Sequence, residues 1–430
     1  MATPSLTTRS VALDLVSSVL KRHRPLDETL EGHSGFTALE PRERAFARNL
    51  SATTLRRLGQ IDDIIGHCLE RPLPRRAVAV RDVLRLGICQ LFFLNIPAHA
   101  AVDTTVSLLD TIDLSPYKKL VNAIMRRLTR EGEKFTRAQD AARLNTPDWL
   151  WDSWQRTYGK ATGRKIAEAH LNEPPLDITL KGDPDIWVKS LQGEILPTGS
   201  LRLATGGIVT TLAGFDEGAW WVQDTAATLP ALLLGDVKGK HVIDLCAAPG
   251  GKTAQLLARG ARVTAVERSA KRLQRLQQNM TRLGFSAETV CADANVWKPD
   301  EQVDAVLLDA PCSATGTIRR HPDISYLKKQ SDVDSLSDAQ YRLLEAALEM
   351  VKPGGRLVFC TCSLQPEEGP QLIEKILAGQ SSFKLDPIMA EDVSGLSELI
   401  TGAGVLRSLP NHLSEHGGMD GFFAARLVRG

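Results

Sequence analysis

Two cysteines stand where an open sheet would present them to a ligand. One follows a carboxylate in Asp309-Ala310-Pro311-Cys312-Ser313, and the other lies in Cys360-Thr361-Cys362-Ser363. Both segments close short apolar runs read as strands, and ligands of an open α/β sheet bind outside the carboxyl ends of its strands. Cys312 and Cys362 are therefore expected to face one site. A single cysteine is ordinarily buried core, and that is the reading for Cys360. A cysteine pair beside an acid suits covalent chemistry on a pyrimidine. Cytosine C5 is a poor nucleophile, but a thiolate adding to C6 raises the electron density at C5, which can then take a methyl group. A carboxyl near N3, the place for Asp309, stabilises that adduct. A base then removes the C5 proton and the thiolate leaves. Free cysteine ionises near ~8.5, so such a site has to favour the thiolate.

An earlier strand ends in Asp244-Leu-Cys-Ala-Ala-Pro-Gly-Gly-Lys-Thr253. Glycines here let backbone approach a ligand at a helix N-terminus. A phosphate-binding P-loop would need glycine at 246, where Cys246 stands. A dinucleotide fingerprint is broken by Ala247, Ala248 and Pro249. A loop for S-adenosylmethionine (SAM) is the third reading. Two later acids favour it: Glu267, 23 residues after Asp244, could accept the ribose hydroxyls, and Asp293 could reach the adenine amine. Each acid alone reads as a strand-end cap; three in order point to an adenosine pocket. Lys252 has two equal readings, a partner for the acid of the site or a cap on the loop.

From about residue 238 strands alternate with helical patterns. Strands are expected at 241–246, 262–267, 288–292, 303–309 and 356–362, with helices at 252–259, 269–283, 338–351 and 366–378. Alternation of this kind implies right-handed crossovers and a parallel, doubly wound sheet, with Gly421–Val428 as a closing strand. Residues 1–140 read as all-helical, with Val11, Leu13, Val16 and Leu20 on one side of the first helix and Leu120, Ile124 and Leu128 inward on a later one. Between them, 141–235 carries Trp149, Trp151 and Trp154 on a helix. Short strand candidates follow at Asp177–Leu180, Leu201–Leu203, Ile208–Leu212 and Trp220–Gln223. The whole is a three-part α and α/β chain.

Composition agrees. The 430 residues are 43% hydrophobic and 24% charged, with a net charge of +1. That is an ordinary globular balance with no stretch long enough for a membrane helix. The Ser-, Thr- and Arg-bearing start could be a transit peptide, but the first amphipathic helix is the plainer reading. Seven cysteines, an odd number without any Cys-x-x-Cys pair, fit a reducing cytoplasm and no zinc or other metal site. Residues 1–130 hold 19 Lys plus Arg, 16 of them Arg, against 13 acids. Arg56, Arg57, Arg71, Arg75, Arg76, Arg81 and Arg85 cluster, as do Lys118, Lys119, Arg126, Arg127 and Arg130. Helix faces carry such runs commonly; nucleic acid is the alternative.

The motifs at 244–253, 309–313 and 361–363 resemble the Nop/Sun family of RNA cytosine-5 methyltransferases. Arg319-Arg320-His321-Pro322-Asp323 and Asp420-Gly421-Phe422-Phe423 also fit it. Residues 1–135 resemble the helical NusB domain, through Val83–Gly87, Asn95-Ile96-Pro97 and Val121–Arg127. The combination resembles bacterial 16S rRNA cytosine-5 methyltransferases of the Sun/Fmu (RsmB) type. The resemblance implies a NusB-like RNA-binding domain at 1–140, a small α+β (RRM-like) module at 141–235 and a SAM-dependent methyltransferase domain at 236–430. It implies SAM held by Cys246, Ala247, Ala248, Pro249, Gly250, Gly251, Lys252, Glu267, Asp293 and Asp309. Asp309 would also meet the base, Cys362 would be the nucleophile and Cys312 would assist release. Arg319, Arg320 and His321 would touch RNA phosphates, with Val222-Gln223-Asp224 a further shared feature. The chain departs from that pattern at Ile178-Thr179-Leu180-Lys181, where relatives read Leu-Arg-Val-Asn. A cytoplasmic monomer acting on RNA, 16S rRNA first and tRNA second, is expected, against a non-catalytic RNA-binding scaffold.

Overall fold

The computed structural model describes residues 4–71, 73–74, 77–203, 208–379 and 381–430; Arg75 and Arg76 of the basic cluster fall outside them. The chain divides into two units. One comprises Met1–Glu173 with Ile318–Lys329, and the other Pro174–Thr317 with Gln330–Gly430. The division differs from the expected boundaries at 140 and 235. The helices Ala141–Leu144, Asp148–Tyr158 and Lys160–Ala169 belong with the N-terminal helices. Gly59 shows the closeness of that packing, because a Cβ there would lie 1.7 Å from the Leu144 carbonyl oxygen.

The helical unit is built on Pro4–Arg22, Pro41–Arg56, Leu58–Cys68, Val78–Phe92, Ala98–Leu108 and Lys118–Ala138. Apolar residues at helical spacing bury one face of each: Val11, Leu15 and Val16 meet Leu50, Ile61, Ile64, Val83, Leu84, Met125 and Leu128 in a single core. Leu120, read as inward, is exposed; Ile124 and Leu128 carry that face instead. The segment 318–329 completes this unit from far along the chain. Leu26 N donates to Asp323 Oδ2 at 2.9 Å, Arg56 Nη2 to the Arg319 carbonyl at 2.8 Å and Tyr326 Oη to the Leu55 carbonyl at 3.0 Å.

The second unit holds two sheets. The smaller uses β1 (Leu176–Leu180), β2 (Gly193–Ile195), β3 (Leu201–Leu203) and β4 (Trp220–Val222) in the order β2-β3-β1-β4. Its buried tie is Asp177, which accepts from Arg202 Nε and Nη2 at 2.7 Å each and from Thr225 N at 3.0 Å. Ile208–Leu212, expected as a strand, holds a 3₁₀ turn at Val209–Thr211. The departing residue Lys181 donates to the Leu283 carbonyl at 2.5 Å and lies 4.6 Å from the centre of the Phe285 ring. It anchors this sheet to the larger one's helix layer.

The larger sheet contains β5 (His241–Leu245), β6 (Arg262–Glu267), β7 (Glu288–Cys291), β8 (Val303–Asp309), β9 (Val351–Thr361), β10 (Phe383–Leu385), β11 (Leu406–Ser408) and β12 (Phe422–Arg429). Its order is β10-β12-β9-β8-β5-β6-β7, with β11 paired to β12. The first five strands are parallel and β12 runs antiparallel to β9, so the doubly wound core is edged by a mixed border. Continuous apolar strands fit burial on both faces: Ile243, Val306, Leu308 and Phe359 enter one core, and Val242, Leu307, Val358 and Cys360 the other. The helix expected at 338–351 runs from Gln330 to Glu349, and the strand after it begins at Val351 rather than 356.

Arg202→Met should leave the Asp177 carboxylate buried without its partner, a loss of about 3–5 kcal/mol. Urea unfolding followed by tryptophan fluorescence checks it; an unchanged midpoint would show that the pair carries no stability.

Candidate active site

Residues that the chain order scatters meet at the carboxyl ends of β5, β6, β7, β8 and β9. After β5 the backbone turns at once: Cys246 adopts a left-handed φ of +60° and Gly250 one of +102° before the helix Gly251–Ala258. Ala247 N bonds the Val266 carbonyl at 3.1 Å, and Gly250 N the Ala247 carbonyl at 2.8 Å. A non-glycine residue in that region carries backbone strain that the surrounding structure has to hold. Burial pushes the Cys246 thiol up to about 12, which makes it a neutral wall of the loop.

Lys252, on the first turn of that helix, donates to Asp309 Oδ2 at 2.8 Å, and its Nζ lies 5.1 Å from the centre of the Phe422 ring. Burial opposes the ammonium, but the Asp309 carboxylate outweighs it and holds Lys252 above its ordinary range. Of its two readings, the structure has the partner of the acid. Below them Asp244 is fully buried, and Thr253 Oγ1 donates to its Oδ2 at 2.6 Å. Burial, only partly offset by that hydroxyl and reinforced by the charge of Asp309, pushes Asp244 up to about 7.

Glu267 at the end of β6 is buried. Its Oε1 accepts from Ser269 N at 2.9 Å, and Arg272 Nη1 lies 3.0 Å from Oε2. Past β7, Asp293 accepts from Asn295 N at 2.9 Å and Nδ2 at 2.7 Å; the bond from Asn295 N leads in drawing its carboxyl below the ordinary range.

The two cysteines meet. Cys312 Sγ and Cys362 Sγ are 3.4 Å apart. Asp309 stands opposite Cys360 in the parallel register, and the ladder continues past the strand through Ala310 N to the Cys360 carbonyl and Gly316 N to the Cys362 carbonyl, each 2.9 Å. Only glycine fits at 316, where a Cβ would sit 2.0 Å from the Gly421 carbonyl oxygen. The hydrogen bond with Cys362 and then burial hold the Cys312 thiol well above its ordinary value. Cys360 is buried core, its Sγ 3.5 Å from Asp309 Oδ1.

The basic triplet belongs to the helical unit. Arg319 is 1% exposed and its carbonyl accepts from Arg56, so its side chain is part of the helical unit's interior and is withheld from RNA phosphate. Burial in that unit is a correction to its expected role. Arg320 is exposed, and His321 Nδ1 lies 3.2 Å from Asp27 Oδ2. One residue went unnoticed. Glu368, fully buried, accepts from Ser313 N at 2.8 Å, Ser363 Oγ at 2.5 Å and Gln340 Nε2 at 3.0 Å, and also from Ser313 Oγ. The only sequence signal was an acidic pair soon after Cys362-Ser363. Among the described residues no three His, Cys, Asp or Glu side chains gather as metal ligands, and no helix is long and apolar enough to cross a membrane.

A sheet of this order, with a glycine loop after β5 and acids closing β6 and β8, defines a SAM-dependent methyltransferase. The residues fit that cosubstrate. A Cβ on Gly251 would meet nothing nearer than 3.8 Å, so the bare backbone there avoids no clash, and Asp244 Oδ1 is buried without a hydrogen-bond partner. The chain belongs to the 16S rRNA methyltransferase RsmB/F family, whose model matches residues 231–428, with a NusB family match at residues 6–130. Ribosomal RNA small subunit methyltransferase B of Shewanella oneidensis is 33% identical over 98% of this chain and 99% of its own length. That of Vibrio vulnificus is 31% identical over 99% and 100%. Among solved structures, that titled Crystal Structure of PH0851 covers 99% of both chains at a TM-score of 0.75 and 22% identity. That of NSun6 from Pyrococcus horikoshii with SFG covers 66% of this chain and 98% of its own at 0.56 and 20%. Both show the fold.

Asp244→Asn should uncouple stability from pH. The carboxyl ionises near 3.8 when unfolded and near about 7 when folded. Within that window the folded state holds a proton that the unfolded state lacks, so wild-type stability is fullest below it and falls as pH rises through it. Thermal unfolding should show the Asn variant gaining Tm on wild type between about pH 4 and 8; parallel profiles would exclude a protonated Asp244.

Proposed function

We propose that this methyltransferase acts on C5 of a cytosine in RNA, with 16S rRNA as its substrate, through a covalent bond between Cys362 and C6. The observation that carries this is the sulfur pair at 3.4 Å beside the Lys252–Asp309 ion pair. The substrate class follows from the family and from relatives named for the small-subunit ribosomal RNA.

Cys246–Lys252 would line the cosubstrate, with Glu267 toward its ribose and Asp293 toward its adenine. SAM bound there supplies an electrophilic methyl group. The rest is the work of side chains. A thiol that keeps its proton is the poorer nucleophile. The Thr361-Cys362-Ser363 motif assigns the attack on C6 to Cys362, and Cys312, whose proton is held by its hydrogen bond with Cys362 and by burial, is left for release. Asp309 faces N3, and the proton that N3 takes up comes from the Lys252–Asp309 pair. Once Cys362 is bonded to carbon it no longer carries charge, so the largest influence holding the Cys312 proton disappears. Cys312 can then lose that proton to water and remove the one on C5. The C5 electrons expel Cys362, and N3 returns its proton to the pair. The cycle returns both cysteines to their starting state and releases one proton. The base has to leave its stack to reach this site, so an unpaired loop is the easier substrate.

Methyl transfer from labelled SAM to deproteinised 16S rRNA, with adducts resolved on denaturing gels, tests the roles. Cys362→Ala should lose transfer and adduct together. Cys312→Ala should accumulate adduct while turnover falls by about 10²-fold or more. An adduct lost only in Cys312→Ala would reverse the two roles, and wild type inert on rRNA but active on tRNA would move the substrate.

Glu267→Ala should weaken SAM binding about 10–100-fold, as expected for a lost hydrogen bond to a charged group. Isothermal titration calorimetry reads it; unchanged affinity would remove Glu267 from the pocket.

A further inference from the structure

The cysteines reach 3.4 Å, and besides that contact the Cys312 sulfur takes the backbone N–H of Ala314 within its own turn. Also tied down is the residue after each. Ser313 gives its backbone N–H and its hydroxyl to the Glu368 carboxylate, and Ser363 gives its hydroxyl to the same group. Gln340 Nε2 bridges Glu368 Oε1 at 3.0 Å and the Pro311 carbonyl at 2.9 Å. Thr361 Oγ1 donates to the Glu368 carbonyl at 2.9 Å, and Arg407 Nη1 to the Ser363 carbonyl at 2.6 Å. One buried acid thus collects donors from both cysteine turns. A carboxylate without water about it is costly unless its donors converge, and convergence is what fixes geometry.

We propose that Glu368 is a positioning residue that sets the separation of the two reacting sulfurs by clamping Ser313 and Ser363, and with them Cys312 and Cys362, onto one buried carboxylate. The proposal rests on the reading of that pair as attacking and releasing thiols. It also accounts for a buried acid that touches neither sulfur. Its charge, after the larger effects of Cys362 and burial, adds to the retention of the Cys312 proton.

The test reads sulfur separation without any methyl transfer. Diamide takes two electrons and two protons from a close thiol pair, leaving a disulfide that peptide mass mapping assigns. The full-length wild type should give the Cys312–Cys362 link. Glu368→Gln and Glu368→Ala should slow it about ten-fold and lower kcat on 16S rRNA by about 10²-fold, as expected of catalytic groups displaced by about 1 Å, with KM for SAM within about two-fold of wild type. Wild-type linking in both variants overturns the proposal, whatever happens to kcat. If the Glu368 variants lose SAM binding or fold, Ser363→Ala decides it, since it keeps the carboxylate and removes the hydroxyl by which that turn is held, whereas Ser313→Ala would keep its backbone N–H bond: slowed linking with KM unchanged supports the clamp, and wild-type linking and kcat overturn it. Should Cys362→Ala still form adduct while Glu368 governs linking, the assignment of the nucleophile fails and the clamp stands.

Discussion

Everything at this site depends on the register of β8 with β9. Asp309 opposite Cys360 puts the ends of the two strands level, so that the turns carrying Cys312 and Cys362 leave the sheet side by side. A slip of one residue would turn every side chain on β9 to the other face. Cys360 would pass from one buried face to the other, and the apolar sets packed on the two sides would be exchanged. The hydrophobic cores on the two faces of the sheet therefore enforce an alignment that the chemistry uses. The ladder bonds from Ala310 and Gly316, and the contact of Gly316 with Gly421, carry that alignment beyond the last regular pair.

The second theme is ionisable groups placed where water is scarce. Lys252, Asp244, Glu267 and Glu368 are all buried. Each answers to a specific partner: Lys252 to Asp309, Asp244 to Thr253, Glu267 to Ser269 and Arg272, Glu368 to two serines and a glutamine. Removed from solvent, these contacts act at low effective dielectric and lose little to screening. They are the electrostatic frame at the carboxyl ends of these strands.

Much of this was legible in the chain. β5, β6 and β8 are apolar runs closed by acids, and runs of that kind read well because both sheet faces bury them. The glycine loop and the two cysteine turns were recognisable from residue type and order. Other parts were not legible, for physical reasons. β2, β10 and β11 are three residues long, too short for periodicity, and hold Gly193, Lys384 and Arg407 where the equally short β4 is marked out by Trp220-Trp221-Val222. The helix from Gln330 opens on a polar turn that shows no apolar stripe. Leu120 fits helical spacing but falls off the buried arc. Glu368 lay in a segment read as plain helix, and its meaning comes from Ser313, 55 residues earlier. Arg319 shows the converse: a charged run reads as solvated surface, and only long-range partners reveal that it is interior.

The return of the chain to its first unit has a consequence for biosynthesis. The amide of Leu26 finds its acceptor in Asp323, 297 residues later. At translation rates of about 5–20 residues per second, the N-terminal helices would wait about 15–60 seconds for that acceptor to be made. During that interval the Arg56 guanidinium and the Leu55 carbonyl remain without their partners from 318–329. The helical unit thus reaches its final form only after β5, β6, β7 and β8 have all been synthesised, and the loop to be closed is more than two thirds of the chain. A ribosome stalled after residue 173 but before residue 318 would carry the helices of this unit without the segment that completes it.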